Sequence, residues 1–250
     1  MNNSATLRDY VRLITEARTA DDLGDALGDI TARMGFDYFA LTHHVDIVRE
    51  PDWAIRVTNY PEKWVDYYDA NALGVSDPVH RASHVTSLGF SWSDLATLIP
   101  LTANDRRILE QGREQGIGDG FTIPANVPGE ARGSCSFANP SGRPLDAEML
   151  PLAQLVGAFA FEGARRMCSV RRFPHEAPPT LTDRQRDCVY WVARGKSDWE
   201  IGQILGVSQE TVIMHLKQAR ERYGVQKRTL LAIRALFDGT LSFTDVFKRN

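Results

Sequence analysis

The spacing of apolar residues between positions 181 and 234 predicts a series of short helices with a capping residue before each start. Thr182 and Ser197 are each followed three residues later by Gln or Glu, which is the spacing of a capping box. Gly206 interrupts the pattern where a tight turn is needed, and Ser208 can cap the next helix. Two helices joined at Gly206 form a helix-turn-helix, whose second helix is expected to enter the DNA major groove.

The helix after Ser208 is predicted to have one buried and one exposed face. Its apolar positions recur at i, i+4, i+7 and i+11: Val212, Leu216, Ala219 and Tyr223. The opposite face carries Glu210, Met214, Lys217 and Glu221, with Ile213 at its edge. The alternative to a DNA-binding module is a small helical bundle that docks another protein.

The first 170 residues have mixed periodicity. An apolar stripe at helical spacing ends at Gly35: Leu23, Leu27, Ile30 and Met34. Aromatic and β-branched residues predict strands in 37–45, 54–60, 120–127 and 133–139. Helices are predicted for 61–72, 103–116 and 145–168. Helices on both sides of a mostly antiparallel sheet make an α/β/α sandwich, so the predicted fold class is α+β with a four-helix C-terminal domain.

Proline content divides the chain. Residues 171–180 contain three prolines and no apolar period, which indicates a semi-rigid linker. We therefore predict a sensor domain over 1–170, this linker, a DNA-binding domain over 181–239 and an extension over 240–250.

Charge supports this division. The net charge of −3 is distributed unevenly, because residues 181–250 carry 12 Lys and Arg against 8 Asp and Glu. A mildly basic end suits a module that meets phosphates. The three cysteines are too few and too scattered for a disulfide framework, and no apolar run is long enough for a signal peptide or membrane span. These observations predict a cytoplasmic protein with reduced thiols and no membrane partner.

The C-terminal segment resembles the four-helix DNA-binding domain of LuxR-type transcription factors. The similarity rests on the LT-x-R-x-R opening, Gly195, the run EIGQILGVSQETV and His215-Leu216. One residue departs from the family pattern, since Gln185 stands where the family usually has a Glu that holds neighbouring helices through its charge. Restoring that charge near the helix start is expected to add about 0.3–1 kcal/mol of stability.

The resemblance also implies a DNA-contacting surface. Base-reading positions follow the Thr-Val pair of the recognition helix, and in this chain they are Ile213, Met214 and Lys217. The full set of residues expected to contact DNA is Ser208, Thr211, Ile213, Met214, Lys217, Arg220 and Lys227.

Roughly residues 5–165 resemble the autoinducer-binding domain of the same family. By itself an aromatic stripe such as Tyr60, Trp64 and Tyr68, four residues apart, is more typical of a hydrophobic core. Together with Trp92 and Asp77-Pro78, however, the stripe matches the family pattern, and a later Gly120 completes it.

The family ligand is an N-acyl homoserine lactone, which has a polar lactone-amide head and an apolar tail. The resemblance implies that the Trp64 indole donates to the lactone carbonyl and that Asp77 accepts from the amide N–H. Tyr60 and Ser136 are the expected donors to the acyl carbonyl. Tyr68 and Trp92 are expected to wall the cavity, while Pro78 and Gly120 serve its backbone geometry. A buried Asp77 without a partner is costly, so the empty site is expected to be poorly stable.

Other chemistry has weaker support. His80 and His84 lie four residues apart, but a third metal ligand is not evident, and His43 and His44 point to opposite faces of a strand. No base is placed beside Cys135, so neither an enzyme nor a cofactor is expected.

The sequence therefore predicts a LuxR-type quorum-sensing regulator that binds a lactone and, as a homodimer, an inverted repeat of double-stranded DNA, with RNA polymerase as a further partner. The alternatives are a regulator that answers to another small molecule or acts without ligand, and a phosphorylation-controlled response regulator. The last of these would need an acidic receiver pattern after the first strand, which is not found.

Overall fold

The computed structural model describes residues 3–45, 54–128, 130–172 and 179–247. The chain forms two compact units, one N-terminal and one C-terminal. Within the described residues, no helix is long and apolar enough to cross a bilayer.

A five-stranded antiparallel sheet forms the centre of the N-terminal unit, in the order β2-β1-β5-β4-β3. The strands are β1 (Tyr38–His43), β2 (Arg56–Thr58), β3 (Phe90–Ser91), β4 (Asp119–Ala125) and β5 (Gly133–Asn139). In the register of the two central strands, Thr122 of β4 lies opposite Ser136 of β5.

Helices cover both faces of this sheet. The seven α-helices described in this unit are α1 (Asn3–Glu16), α2 (Ala20–Arg33), α3 (Glu62–Ala70), α4 (Pro78–Ser83), α5 (Leu95–Leu98), α6 (Ala103–Glu114) and α7 (Leu150–Arg172), and two short 3-10 helices lie at Leu73–Val75 and Trp92–Asp94. The main core joins α1, α2 and α7 to one face of the sheet and includes the whole predicted stripe of α2. A smaller aromatic core joins α3 and α6 to the opposite face. The predicted α/β/α sandwich is confirmed.

The structure differs from the sequence predictions at the start of α3 and at both ends of α7. Pro61 occupies the N-cap position of α3, so Tyr60 precedes the helix. Tyr60 therefore does not lie on one helical face with Trp64. Helix α7 begins at Leu150 and continues to Arg172, into the predicted linker. The rest of that linker lies largely outside the described residues, because 173–178 are not described.

The C-terminal unit is helical: α8 (Asp183–Ala193), α9 (Asp198–Leu205), α10 (Gln209–Arg222), α11 (Arg228–Phe237) and α12 (Phe243–Phe247). Both predicted capping boxes are present, Gly206 ends α9 at a φ of 67°, and the Ser208 side chain caps α10. The predicted inner face of α10 is buried, and its predicted outer face is exposed. Packing continues beyond residue 239, since Leu241 is buried in the same core.

Gln185 has a partner that the sequence does not reveal. Its side-chain oxygen accepts from the backbone N–H of Thr182, as a cap requires. Its amide nitrogen donates to the Oε1 atom of Gln218 on α10 at 3.0 Å, and the Gln185 side chain is buried. The amide nitrogen of Gln185 therefore joins α8 to α10. In the family that this segment resembles, a charged Glu at the same position is expected to hold neighbouring helices together.

This contact reverses the stability change expected for Gln185→Glu. A carboxylate cannot donate to the Gln218 oxygen, so the Gln218 amide would have to turn over to donate in its place, and a charge would be buried beside it. We therefore expect a loss of about 1 kcal/mol instead of a gain. Adding Gln218→Lys should restore stability by providing a donor and a charge. Thermal unfolding of the full-length single and double variants measures both effects, and a single variant more stable than wild type would contradict this interpretation.

Candidate ligand-binding site and nucleic-acid interface

A cavity of about 600 Å³ lies in the N-terminal unit, between the sheet and helices α3, α4 and α6. All six residues that the sequence assigns to ligand binding line this cavity: Tyr60, Trp64, Tyr68, Asp77, Trp92 and Ser136. They come from loops, helices and strands up to 76 positions apart in the chain, and the fold brings them around one space.

Two hydrogen-bond donors in the cavity wall are not engaged by the protein. Within the described residues, neither the Tyr60 hydroxyl nor the Trp64 indole N–H makes a hydrogen bond, although Trp64 is only 7% exposed. The ring of Tyr60 is fixed edge-on against Tyr38, and Trp64 packs against Tyr67 and Tyr68. Aromatic packing thus fixes both donors in place before any ligand arrives.

Asp77 is one of two acidic residues that line the cavity, with Asp119, and both of its carboxylate oxygens accept hydrogen bonds. Its Oδ1 atom accepts from the backbone N–H of Val79 at 2.7 Å, so that Asp77 caps α4. Its Oδ2 atom accepts from the Tyr68 hydroxyl at 3.1 Å. The expectation that Asp77 is unpaired without a ligand is therefore wrong. The carboxylate is held in place, and each oxygen retains a further lone pair for the cavity.

Tyr68 consequently does more than wall the cavity. The His80 Nδ1 atom lies 2.9 Å from the Gly74 carbonyl, which can only accept, so this nitrogen carries the proton. The same N–H lies 3.3 Å from the Tyr68 oxygen, which leaves the Tyr68 proton for Asp77. Burial and the Asp77 charge raise the pKa of Tyr68 well above its usual value, so the phenol keeps that proton.

The two residues expected to serve geometry occupy tight positions. Pro78 is buried at the first position of α4, after the Asp77 cap. A Cβ atom at Gly120 would lie 2.6 Å from the indole ring of Trp92, so only glycine lets that ring lie against β4. Trp92 in turn donates its indole N–H to Thr122 Oγ1, a bond that the sequence does not suggest.

A histidine cluster lies beside the cavity. The His44 Nδ1 atom is 2.9 Å from His84 Nε2, and the His44 Nε2 atom is 2.9 Å from the Ser134 hydroxyl. His80, which also lines the cavity, stacks on His44 with ring centroids 3.8 Å apart. Sequence reasoning paired His80 with His84 and left out His44, although strand alternation places His44 on the same face as Ala40 and Thr42.

The cluster is unsuited to a metal ion. The rings of His44 and His80 are stacked at 16°, so their in-plane lone pairs cannot converge on one point. Within the described residues, no group of three or more His, Cys, Asp or Glu side chains is arranged so that it could hold a metal ion. Burial lowers the pKa of His44 well below its usual value, and burial lowers that of His84 to about 4, so the rings of His44 and His84 are neutral near pH 7. Burial also raises the pKa of the Cys135 thiol, so this thiol is not a nucleophile.

The C-terminal unit presents an exposed surface on α10. Ile213 and Met214 are 44% and 47% exposed, and Lys217 is also exposed, with only a 4.0 Å contact to Glu221. The Ser208 and Thr211 hydroxyls lie at the start of this helix, and Lys227 is exposed beyond its end.

Arg220 differs from the other predicted DNA contacts. Its guanidinium donates to the backbone carbonyls of Leu216 and Gln226, so in the protein it closes the turn between α10 and α11.

Comparison with known proteins agrees with both halves. The protein-family model described as "Autoinducer binding domain" matches residues 19–164, and the family model "Bacterial regulatory proteins, luxR family" matches residues 179–235. Transcriptional activator protein AhyR of Aeromonas hydrophila is 26% identical over 94% of this chain and 92% of its own length. Transcriptional activator protein LuxR of Aliivibrio fischeri is 26% identical over 92% of this chain and 94% of its own. Escherichia coli SdiA in complex with octanoyl-rac-glycerol shares the fold, with a TM-score of 0.65 at 23% identity over 95% of this chain and 96% of that one.

Proposed function

The chain belongs to the LuxR family of bacterial transcriptional regulators, which are not enzymes, and from this premise we propose a specific ligand and DNA target. The proposed ligand is an N-acyl homoserine lactone, which binds in the N-terminal cavity. The proposed target is an inverted repeat of double-stranded DNA, which the protein binds in the cytoplasm as a homodimer in order to act on RNA polymerase.

The observation that carries the ligand proposal is the set of polar groups around the cavity. Tyr60, Trp64 and Ser136 supply hydroxyl or indole donors, and Asp77 supplies a charged acceptor. A lactone-amide head has the complementary set, because its two carbonyls accept and its amide N–H donates. The fixed orientation of Asp77, by Tyr68 and the α4 backbone, lowers the entropy lost when the head binds.

The remaining lining suits an acyl tail. Ile108 and Ile117 are buried in the aromatic core that borders the cavity, and Val79 and Leu109 add further apolar surface. The cavity surface is mostly apolar, which is usual for a small-molecule site, although Arg56, Arg113, Arg143 and Asp119 also line it.

Exposed apolar stripes support the homodimer. On α7 the residues Leu155 and Phe159, one turn apart, are 44% and 43% exposed. On α11 the residues Leu230, Ile233 and Phe237 are 41%, 56% and 55% exposed and share one face. Apolar helix faces of this kind are typical of protein–protein contacts.

Analysis of the bound small molecule tests the ligand proposal directly. The full-length protein is expressed with a series of N-acyl homoserine lactones of increasing chain length, purified, denatured and extracted for mass spectrometry. We expect one lactone to co-purify with the wild-type protein at close to one molecule per chain. The single variants Trp64→Phe and Asp77→Asn should lose it. Retention of a different neutral acyl compound, such as the octanoylglycerol seen with SdiA, would replace the lactone and leave the family unchanged.

The DNA proposal predicts different effects for two exposed lysines. Lys217 lies at a base-reading position, so Lys217→Ala should weaken binding to the cognate inverted repeat by about 1–3 kcal/mol and random DNA by much less. Lys227 is expected to contact phosphate, so Lys227→Ala should weaken both alike. Gel-shift titrations at fixed salt make the comparison, and equal losses on both DNAs for Lys217→Ala would assign that residue to phosphate as well.

A further inference from the structure

Three hydrogen-bonding side chains connect the segment just after β3 to β4 and β5 at the cavity wall. The Trp92 indole N–H lies 2.8 Å from Thr122 Oγ1, which in turn lies 2.8 Å from Ser136 Oγ. Thr122 is fully buried, and Ser136 is 6% exposed and lines the cavity. The three residues are separated by 30 and 14 positions in the chain, so only the strand register aligns them.

We call the two hydrogen bonds that run from Trp92 through Thr122 to Ser136 the relay. The donor and acceptor chemistry of the three side chains fixes which atom donates in each bond. An indole nitrogen can only donate, so Thr122 must accept from Trp92. The Thr122 hydroxyl then has one proton to place, and within the described residues Ser136 Oγ is its available acceptor. A buried hydroxyl whose proton has no acceptor costs free energy, so Thr122 donates to Ser136. The proton of Ser136 is left to face the cavity.

We propose that Thr122, held by Trp92, is a positioning residue that fixes Ser136 as a hydrogen-bond donor toward the ligand. The cavity beside Ser136 therefore favours ligands that carry a carbonyl oxygen there, because an acceptor is needed to satisfy the Ser136 proton. The inference rests on the proposed lactone function. It adds Thr122, which the sequence did not single out. It also makes Trp92 the first donor of the relay, where the sequence predicted only a residue of the cavity wall.

Gly120 provides the space that the relay needs. A Cβ atom at this position would come within 2.6–2.9 Å of three atoms of the Trp92 ring, so glycine is needed for the indole to reach Thr122.

Affinity measurements on full-length variants test the relay with N-octanoyl homoserine lactone as the probe. We expect Ser136→Ala and Thr122→Val each to weaken binding roughly three- to tenfold, the value of one neutral hydrogen bond. The double variant should bind no more weakly than Ser136→Ala alone, because both changes remove the same donation. Thr122→Ser, which keeps the hydroxyl, should bind nearly as well as wild type. Additive losses would overturn the proposal, as would a Thr122→Ser variant no better than Thr122→Val.

A second measurement needs no ligand. The indole N–H resonance of Trp92 should shift upfield in Thr122→Val and return toward its wild-type position in Thr122→Ser, because only a hydroxyl accepts this bond. An unshifted resonance in Thr122→Val overturns the relay. If wild type does not bind the probe, octanoylglycerol, which also carries an acyl carbonyl, takes its place. If neither binds, the lactone that co-purifies from the chain-length series is the probe. If none co-purifies, the lactone function fails, and the indole resonance alone decides whether the relay exists.

Discussion

Asp77→Asn should weaken lactone binding by roughly ten- to a hundredfold, the value of a charge-assisted hydrogen bond. The substitution removes the negative charge and adds N–H donors opposite the ligand amide. The fold should persist, because Asn is as good an N-cap for α4 as Asp and its side-chain oxygen still accepts one bond. Titration calorimetry with the lactone that co-purifies, together with thermal unfolding without ligand, separates the two effects.

Two further variants make this experiment specific. Asp66→Asn removes a carboxylate from the exposed side of α3 and should leave the affinity unchanged. Trp64→Phe removes a neutral donor and should cost less than Asp77→Asn. If Asp77→Asn binds the lactone as tightly as wild type, the ligand amide does not use this carboxylate. If it unfolds without ligand, Asp77 acts mainly as a cap.

Stability should fall steeply as the pH drops from about 6.5 toward 4, because the histidine cluster resists protonation. The pKa of His84 is lowered from 6.5 to about 4, mainly by burial and then by the charges of Arg132 and His80. His44 is lowered mainly by burial, with His80, His84, His43 and Arg132 adding to the effect. Below pH 6.5 the unfolded chain binds protons that the folded chain does not, so this stability is present above pH 6.5 and is lost as the pH falls.

Urea unfolding between pH 7.5 and 4.5 measures this loss. His84→Gln, which cannot take up a proton, should flatten the dependence between pH 6.5 and 5. The carboxylates with lowered pKa values, including Asp105 and Glu200, release their contribution at lower pH and do not explain a change in this window. A pH profile of His84→Gln that overlays wild type would show that the cluster protonates freely in the fold.

Local patterns in the sequence were sufficient to predict much of this protein. Capping boxes at Thr182 and Ser197, the turn at Gly206 and the buried face of α10 depend on residues within one or two helical turns of each other. Such interactions are settled by side-chain spacing before the chain folds. The aromatic and acidic positions of the family pattern likewise identified the residues that line the cavity, although spacing gave no information on their partners.

Only the tertiary structure decided what those residues contact. Asp77 is bonded by a phenol nine residues away, Trp92 by a hydroxyl thirty residues away, and His44 by groups forty and ninety residues away. These contacts depend on strand register and on how helices pack over the sheet, which no short window of sequence contains. A hydrogen bond requires its two atoms within about 3 Å of each other, and only the complete fold sets that distance. The sequence thus determined which residues line the cavity, and the fold determined which of them contact one another and which keep a polar group free toward the cavity.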